Sequence, residues 1–194
     1  TVPKVEYTSV WDFYPDPDAY NMEDCVYVVE RHRLTRSQLR ALKKRPFFRG
    51  KSIEAAIKEG EDYSREWWED SLTDNETASD FGGEGFAGYG GDVERFEVLE
   101  FWGTIDKDIA ESQGLEIPEN EIKDDEIQIN CWVCNNQILR LVINPFVPKR
   151  IPYVASPYEI NPYSFFGVGL AENMDDTQTL MNGFMRLAVD NAIL

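Results

Sequence analysis

Three groups of residues have the types and spacing to do chemistry: the lone histidine His32, the pair Cys131 and Cys134, and several close carboxylates. A CxxC pair can supply half of a zinc site or the thiols of a redox centre. A zinc site takes about four nitrogen or sulfur ligands, however, and only Cys25 and His32 remain to complete one. The pair also lies in a β-rich run, EIQINCWVC, where residues three apart point to opposite faces. Both cysteines are therefore expected to be small strand residues, and no metal ligand is assigned. His32 stands beside basic residues in its strand, and no serine or cysteine nucleophile can be placed near it, so a hydrolytic triad is unsupported. Asp16 with Asp18, or Asp124 with Asp125, have the makings of a general acid–base pair. With 36 acids in 194 residues, such pairs are expected by chance. The glycine-rich run at residues 74–91 (DNETASDFGGEGFAGYGG) lacks the preceding strand and following helix of a phosphate cradle. No catalytic residue and no cofactor is assigned.

Charge divides the chain unevenly. The formal total is −17, which opposes tight non-specific binding to free nucleic acid, because such binding is driven by Lys and Arg displacing counterions. Between Arg31 and Lys51 stand nine basic residues and no acid, leaving −26 to the remainder. This patch is either a solvated helix face or an anion contact, to DNA or to the acidic surface of a neighbouring copy. With 42% hydrophobic residues, five Trp, nine Tyr and eleven Phe, the chain has ample material for a packed interior. No apolar run approaches the roughly 18 residues that span a bilayer, the first ten residues lack a signal-peptide layout, and three cysteines fit a reducing compartment. A soluble protein is expected.

The elements that must position these residues predict an α+β fold. Cys25 to Leu34 reads as a strand. Thr35 and Gln38 have capping-box spacing and open a short helix, which Pro46 stops near Arg45. On it Arg36, Arg40 and Lys44 share an outward face, while Leu39 and Leu42 turn inward. Ser52 caps a second helix over Ile53 to Glu59, closed by Gly60, and Tyr63 to Leu72 adds a turn or two. Residues 1–73 thus read as a strand with short helices, and 74–91 as a flexible glycine-rich loop.

Residues 92–160 form an antiparallel β region. Val93 to Ile105 alternates, with Phe96, Val98 and Glu100 on one face and Glu97, Leu99 and Phe101 on the other. Glu126 to Cys134 and Gln137 to Phe146 flank Asn135-Asn136, a two-residue hairpin signal. Residues 161–194 end in a long amphipathic helix from Leu170. Leu170, Met174, Met181, Phe184 and Ala188 form its apolar stripe, and Gln178, Asn182, Arg186 and Asp190 its polar one. The helix shows no stop signal and Thr1 no start signal, so the chain is expected to be a piece of something longer.

Several runs resemble the portal, or head-to-tail connector, proteins of short-tailed bacteriophages. They are VWDFYPDP at residues 10–17, CVYVVER at 25–31, VLEFWG at 98–103, ILR at 138–140 with NPF at 144–146, RIPY at 150–153, and FGVGLAE at 166–172. The last continues through Gln178, Asn182, Arg186 and Asp190-Asn191. The resemblance implies a ring of twelve copies at one capsid vertex, a channel through which double-stranded DNA passes without sequence specificity. It also implies terminase, capsid and tail adaptor proteins as partners, no membrane, and a place in the virion after assembly in the host cytoplasm. The family places no catalytic residues; ATPase activity belongs to the terminase motor. The sheet would be wing-like or clip-like, and Arg36, Arg40, Lys44 and Arg186 would contact a neighbouring subunit or DNA. Two other classes stay open. One is an acidic monomeric binding module or DNA mimic. The other is a carboxylate-based hydrolase, which needs two acids roughly 5 to 10 Å apart in one cleft.

Overall fold

The β-branched and aromatic runs of the chain pair into a five-stranded sheet of order β1-β2-β3-β4-β5. Its strands are β1 (Phe13–Pro15), β2 (Tyr27–Thr35), β3 (Arg95–Asp106), β4 (Glu126–Cys134) and β5 (Gln137–Ile143). The neighbours from β2 to β5 run antiparallel. These coordinates come from a computed structural model that describes residues 4–60, 95–118, 122 and 125–193. The helical turns expected over 63–72 and the loop at 74–91 lie outside the described residues. The chain divides into two units: Thr1–Tyr14 with Tyr27–Arg150, which holds almost all of the sheet, and Pro15–Val26 with Ile151–Leu194.

Alternation along β3 sorts its side chains as expected: Phe96 and Val98 are fully buried and Glu100 nearly so, while Leu99 is exposed. The sheet serves two apolar clusters. Phe96, Val98, Trp132, Cys134 and Leu139 pack with Leu39, Leu42, Ile53 and Ala56. Ile127, Ile129 and Leu141 pack with Ala110, and Cys131 joins them. The CxxC pair is thus split between two clusters, as residues three apart in a strand should be. Gly103 faces Tyr27 across the β2–β3 ladder, and a Cβ there would come within 2.6 Å of the Tyr27 Cβ. Only glycine leaves room there for Tyr27 and for the Phe101 ring.

The β4–β5 hairpin turns on Asn135 and Asn136, with φ of 46° and 58°, the left-handed values of a tight two-residue turn. Helix α1 (Arg36–Ala41) begins with a complete capping box: the Thr35 hydroxyl accepts from the Gln38 amide, and the Gln38 side chain accepts from the Thr35 amide. Leu42–Lys44 continue it as a 3₁₀ turn. Arg45, before Pro46, is already extended at ψ 146°.

Helix α2 (Gly50–Glu59) starts earlier than its sequence suggests, because Ser52 lies inside its first turn rather than capping it. The reason is tertiary. The Arg49 amide donates to Leu139 O on β5 at 2.7 Å, and Arg49 O accepts from the Ile53 amide, so the tether to the sheet sets the first turn. Gly60 closes the helix at φ 101°. A six-residue helix, α3 (Lys107–Ser112), follows β3 inside the region expected to be β.

In the second unit, Asp16 is buried and accepts hydrogen bonds from the Asp18 and Val26 amides, so its carboxylate shapes a loop. An isolated bridge pairs Glu159 with Val168, and Gly167 beside it lets the backbone at Glu159 approach where any Cβ would collide. Helix α4 (Leu170–Ile193) then runs 24 residues. No helix among the described residues is long and apolar enough to cross a membrane.

Candidate functional site

Two constellations in the sheet unit bring chemically competent side chains together. The first lies on the sheet. Alternation along β2 sends Arg31 and Arg33 to one face, where Arg31 Nε and an Arg33 terminal nitrogen donate to the two oxygens of Asp12 at 3.0 and 2.7 Å. His32 therefore points away from its basic neighbours, and its companions are acids, a correction to the surroundings read from sequence adjacency. His32 Nε2 lies 2.9 Å from Glu100 Oε2, and Nδ1 lies 3.9 Å from Glu30 Oε1. The imidazole stacks on Trp132 at 4.8 Å between centroids with planes 8° apart. The other Glu100 oxygen accepts from Trp102 Nε1 and Asn130 Nδ2, each at 2.8 Å.

Burial pulls the imidazole pKa down. The hydrogen bond to Glu100 and the charges of Glu30, Glu100 and Asp12 more than offset this, holding it above the ordinary histidine range. Arg140 sits over Phe48, whose ring meets Trp132 edge-on. Burial lowers the Arg140 pKa and the charge of Glu100 opposes that. Glu30, His32 and Glu100 each present a possible metal-ligand atom, all within 4.8 Å of one another. One oxygen of each carboxylate lies within 4.8 Å of the other, and the imidazole bonded to Glu100 lies beside Glu30 as well.

The second constellation is a groove of about 520 Å³ between α1 and α2, lined by Arg36, Arg40, Lys43, Glu54, Ile57, Lys58 and Gly60. The capping box sets the start of α1, which puts Arg36 and Arg40 one turn apart. Lys43 Nζ bridges to Glu54 Oε1 at 2.5 Å. Of the residues expected to form the basic face, Arg36 and Arg40 line the groove. Arg36 is half-buried with its guanidinium 5.9 Å above the Phe96 ring. Lys44 is exposed and does not line the groove, and Arg186 is exposed on α4 in the second unit. Lys58 was not legible as a member, since only the packing of α2 beside α1 brings it there. The one available signal was its place in the last turn before Gly60, where a cation suits a helix C-terminus.

A protein-family model described as phage SU10 portal protein matches residues 1–194, the full length of the chain. No curated protein matches it. The short blocks that resemble portal proteins in sequence therefore fall inside one continuous match. The chain belongs to the phage SU10 portal protein family, a family of structural proteins.

Proposed function

We propose that this chain is a segment of a portal subunit that assembles into a closed ring, twelve copies in the whole protein, at one capsid vertex. The ring forms the channel for DNA packaging and ejection and the platform on which terminase and tail adaptor proteins dock. The family match over the entire chain carries this reading. Two further observations support it. Helix α4 has an apolar stripe in which Leu170, Met174, Met181 and Phe184 are each at least half exposed, and a contiguous apolar surface of that kind belongs at an interface. Charge is also segregated, with nine cations between Arg31 and Lys51 against −26 elsewhere.

A heterologous contact repeated around a ring puts different surfaces on the two sides of each subunit, so a basic face on one copy meets an acidic face on the next. An acidic chain also suits a DNA path, because each cation holding a phosphate adds to the barrier against sliding. In this reading Arg36, Arg40 and Lys44 contribute to the contact between subunits, and Arg186 to a contact along α4. Reversing Arg36, Arg40 and Lys44 to Glu in the portal protein should weaken ring assembly, and the native contact should loosen as salt rises. Rings that form normally while packaging changes would move the patch to the DNA. Normal rings with normal packaging would leave it a solvated helix face.

A further inference from the structure

Glu30 and Glu100 are directly opposed in the β2–β3 ladder, on one face of the sheet, with side chains only 16% and 12% exposed. Like charges directly opposite each other destabilise a sheet, and burial makes the arrangement worse. A cation beside such a pair offsets that cost. His32 stands two residues from Glu30 on the same face and reaches both acids. We propose that Glu30, His32 and Glu100 form a binding site for one first-row divalent metal ion of the zinc type.

Two of the three donors are already in range. For metal–ligand bonds of about 2.05 Å, two donors 2.9 Å apart subtend an angle of about 90° at the metal, and 2.9 Å is the separation of His32 Nε2 and Glu100 Oε2. Donors around a tetrahedral ion with bonds of about 2.05 Å stand about 3.3 Å apart; the three donors lie within 4.8 Å of one another, so the Glu30 side chain would swing in by up to about 1.5 Å on binding. The supporting residues are in place as well. The second oxygen of Glu100 is held by Trp102 and Asn130, which leaves Oε2 turned toward the imidazole. Stacking on Trp132 fixes the plane of the His32 ring. Outer contacts of this kind orient ligands in metal sites. Asn130, whose Nδ2 holds Glu100, is wholly buried, and its Oδ1 has no hydrogen-bond partner among the described residues.

One imidazole and two carboxylates suit zinc, manganese or cobalt, whereas calcium and magnesium prefer all-oxygen sites. The ligands come from neighbouring strands, so the ion would clamp β2 to β3. Binding takes place on the neutral imidazole, and the proton held there at lower pH goes to solvent.

The test uses the 194-residue chain freed of metal with a chelator, then titrated with Zn²⁺ and, as a spectroscopic probe, Co²⁺. One ion should bind per chain, with a visible cobalt absorption band and paramagnetic shifts of the His32 and Trp132 resonances, and Zn²⁺ should raise the unfolding temperature. His32→Gln should abolish binding. Asn130→Leu should weaken it by about 10- to 100-fold as a lost outer contact does, and Glu30→Gln by more. Glu30 lies outside the apolar clusters, so its variant reports binding even if a change at Glu100 disturbs folding. Absence of stoichiometric binding by the native chain would overturn the site, as would binding that survives His32→Gln and disappears when Cys131 and Cys134 are replaced. In either case the trio is an imidazole holding two carboxylates without a metal.

Discussion

Asn135→Gly should keep the hairpin turn and yet destabilise the sheet unit, because Asn135 has two jobs. At φ 46° it occupies a left-handed position that glycine adopts freely, so the turn backbone survives the change. What is lost is the side-chain amide, which donates to Ala56 O at 3.2 Å and Gly60 O at 2.6 Å. Ala56 is one of the last four residues of α2, whose carbonyls have no donor within the helix. Each of these hydrogen bonds is worth about 0.5–1.5 kcal/mol. Their loss should cost about 2 kcal/mol and lower the unfolding temperature by roughly 4–8 °C. Asn136→Gly removes no such bond and should stay within about 0.5 kcal/mol of the native chain. Asn135→Asp places a negative charge at the α2 C-terminus with no donor, and should be worse than the glycine variant by about 0.3–1 kcal/mol. Urea unfolding followed by tryptophan fluorescence and circular dichroism gives the ranking. If Asn135→Gly proved as stable as Asn136→Gly, the side chain would not tether α2 and the reasoning would fail.

Thr35→Ala should cost about 1 kcal/mol by opening the capping box of α1, and Thr35→Asp should recover most of it; equal unfolding midpoints for all three chains would contradict the cap. Gly103→Ala should cost about 1–3 kcal/mol, because its Cβ meets Tyr27 and Phe101, whereas Gly50→Ala meets nothing and should be neutral or stabilising by up to about 1 kcal/mol. Thermal melts of the two variants check the contrast. Burial raises the thiol pKa of both Cys25 and Cys131, with Arg49 opposing it at Cys131. At pH 8 each is therefore less ionised than a free cysteine, and iodoacetamide should modify both more slowly, with rates still climbing at a pH where a free thiol has levelled off. A mass-spectrometric time course showing either thiol reacting as fast as free cysteine would contradict that.

Local chemistry made part of this fold legible in the sequence. The Thr35 and Gln38 pair is a cap whatever surrounds it, and two asparagines between β-rich runs make a turn from their own backbone preferences. Tertiary contacts decided what was misread. The start of α2 follows from the Arg49 amide bonding to β5, a contact between residues 90 positions apart that no local pattern contains. The second role of Asn135, and the entry of Lys58 into the basic groove, depend in the same way on where α2 packs. His32 shows the point most directly. Its sequence neighbours are arginines, but a strand sends adjacent residues to opposite faces, and its partner Glu100 is fixed by the β2–β3 register across 68 residues. The regular alternation of β3 did place Glu100 on the buried face with Phe96 and Val98. What it could not supply was the strand that would lie opposite.

Electron microscopy of the portal protein that carries this chain tests the central claim most directly. Closed twelve-fold rings, with the α4 stripe covered by a neighbouring copy and the Arg36, Arg40 and Lys44 face meeting acidic residues across the subunit boundary, are the predicted result. A monodisperse monomer at every concentration and salt level, with both surfaces open to solvent, would contradict it.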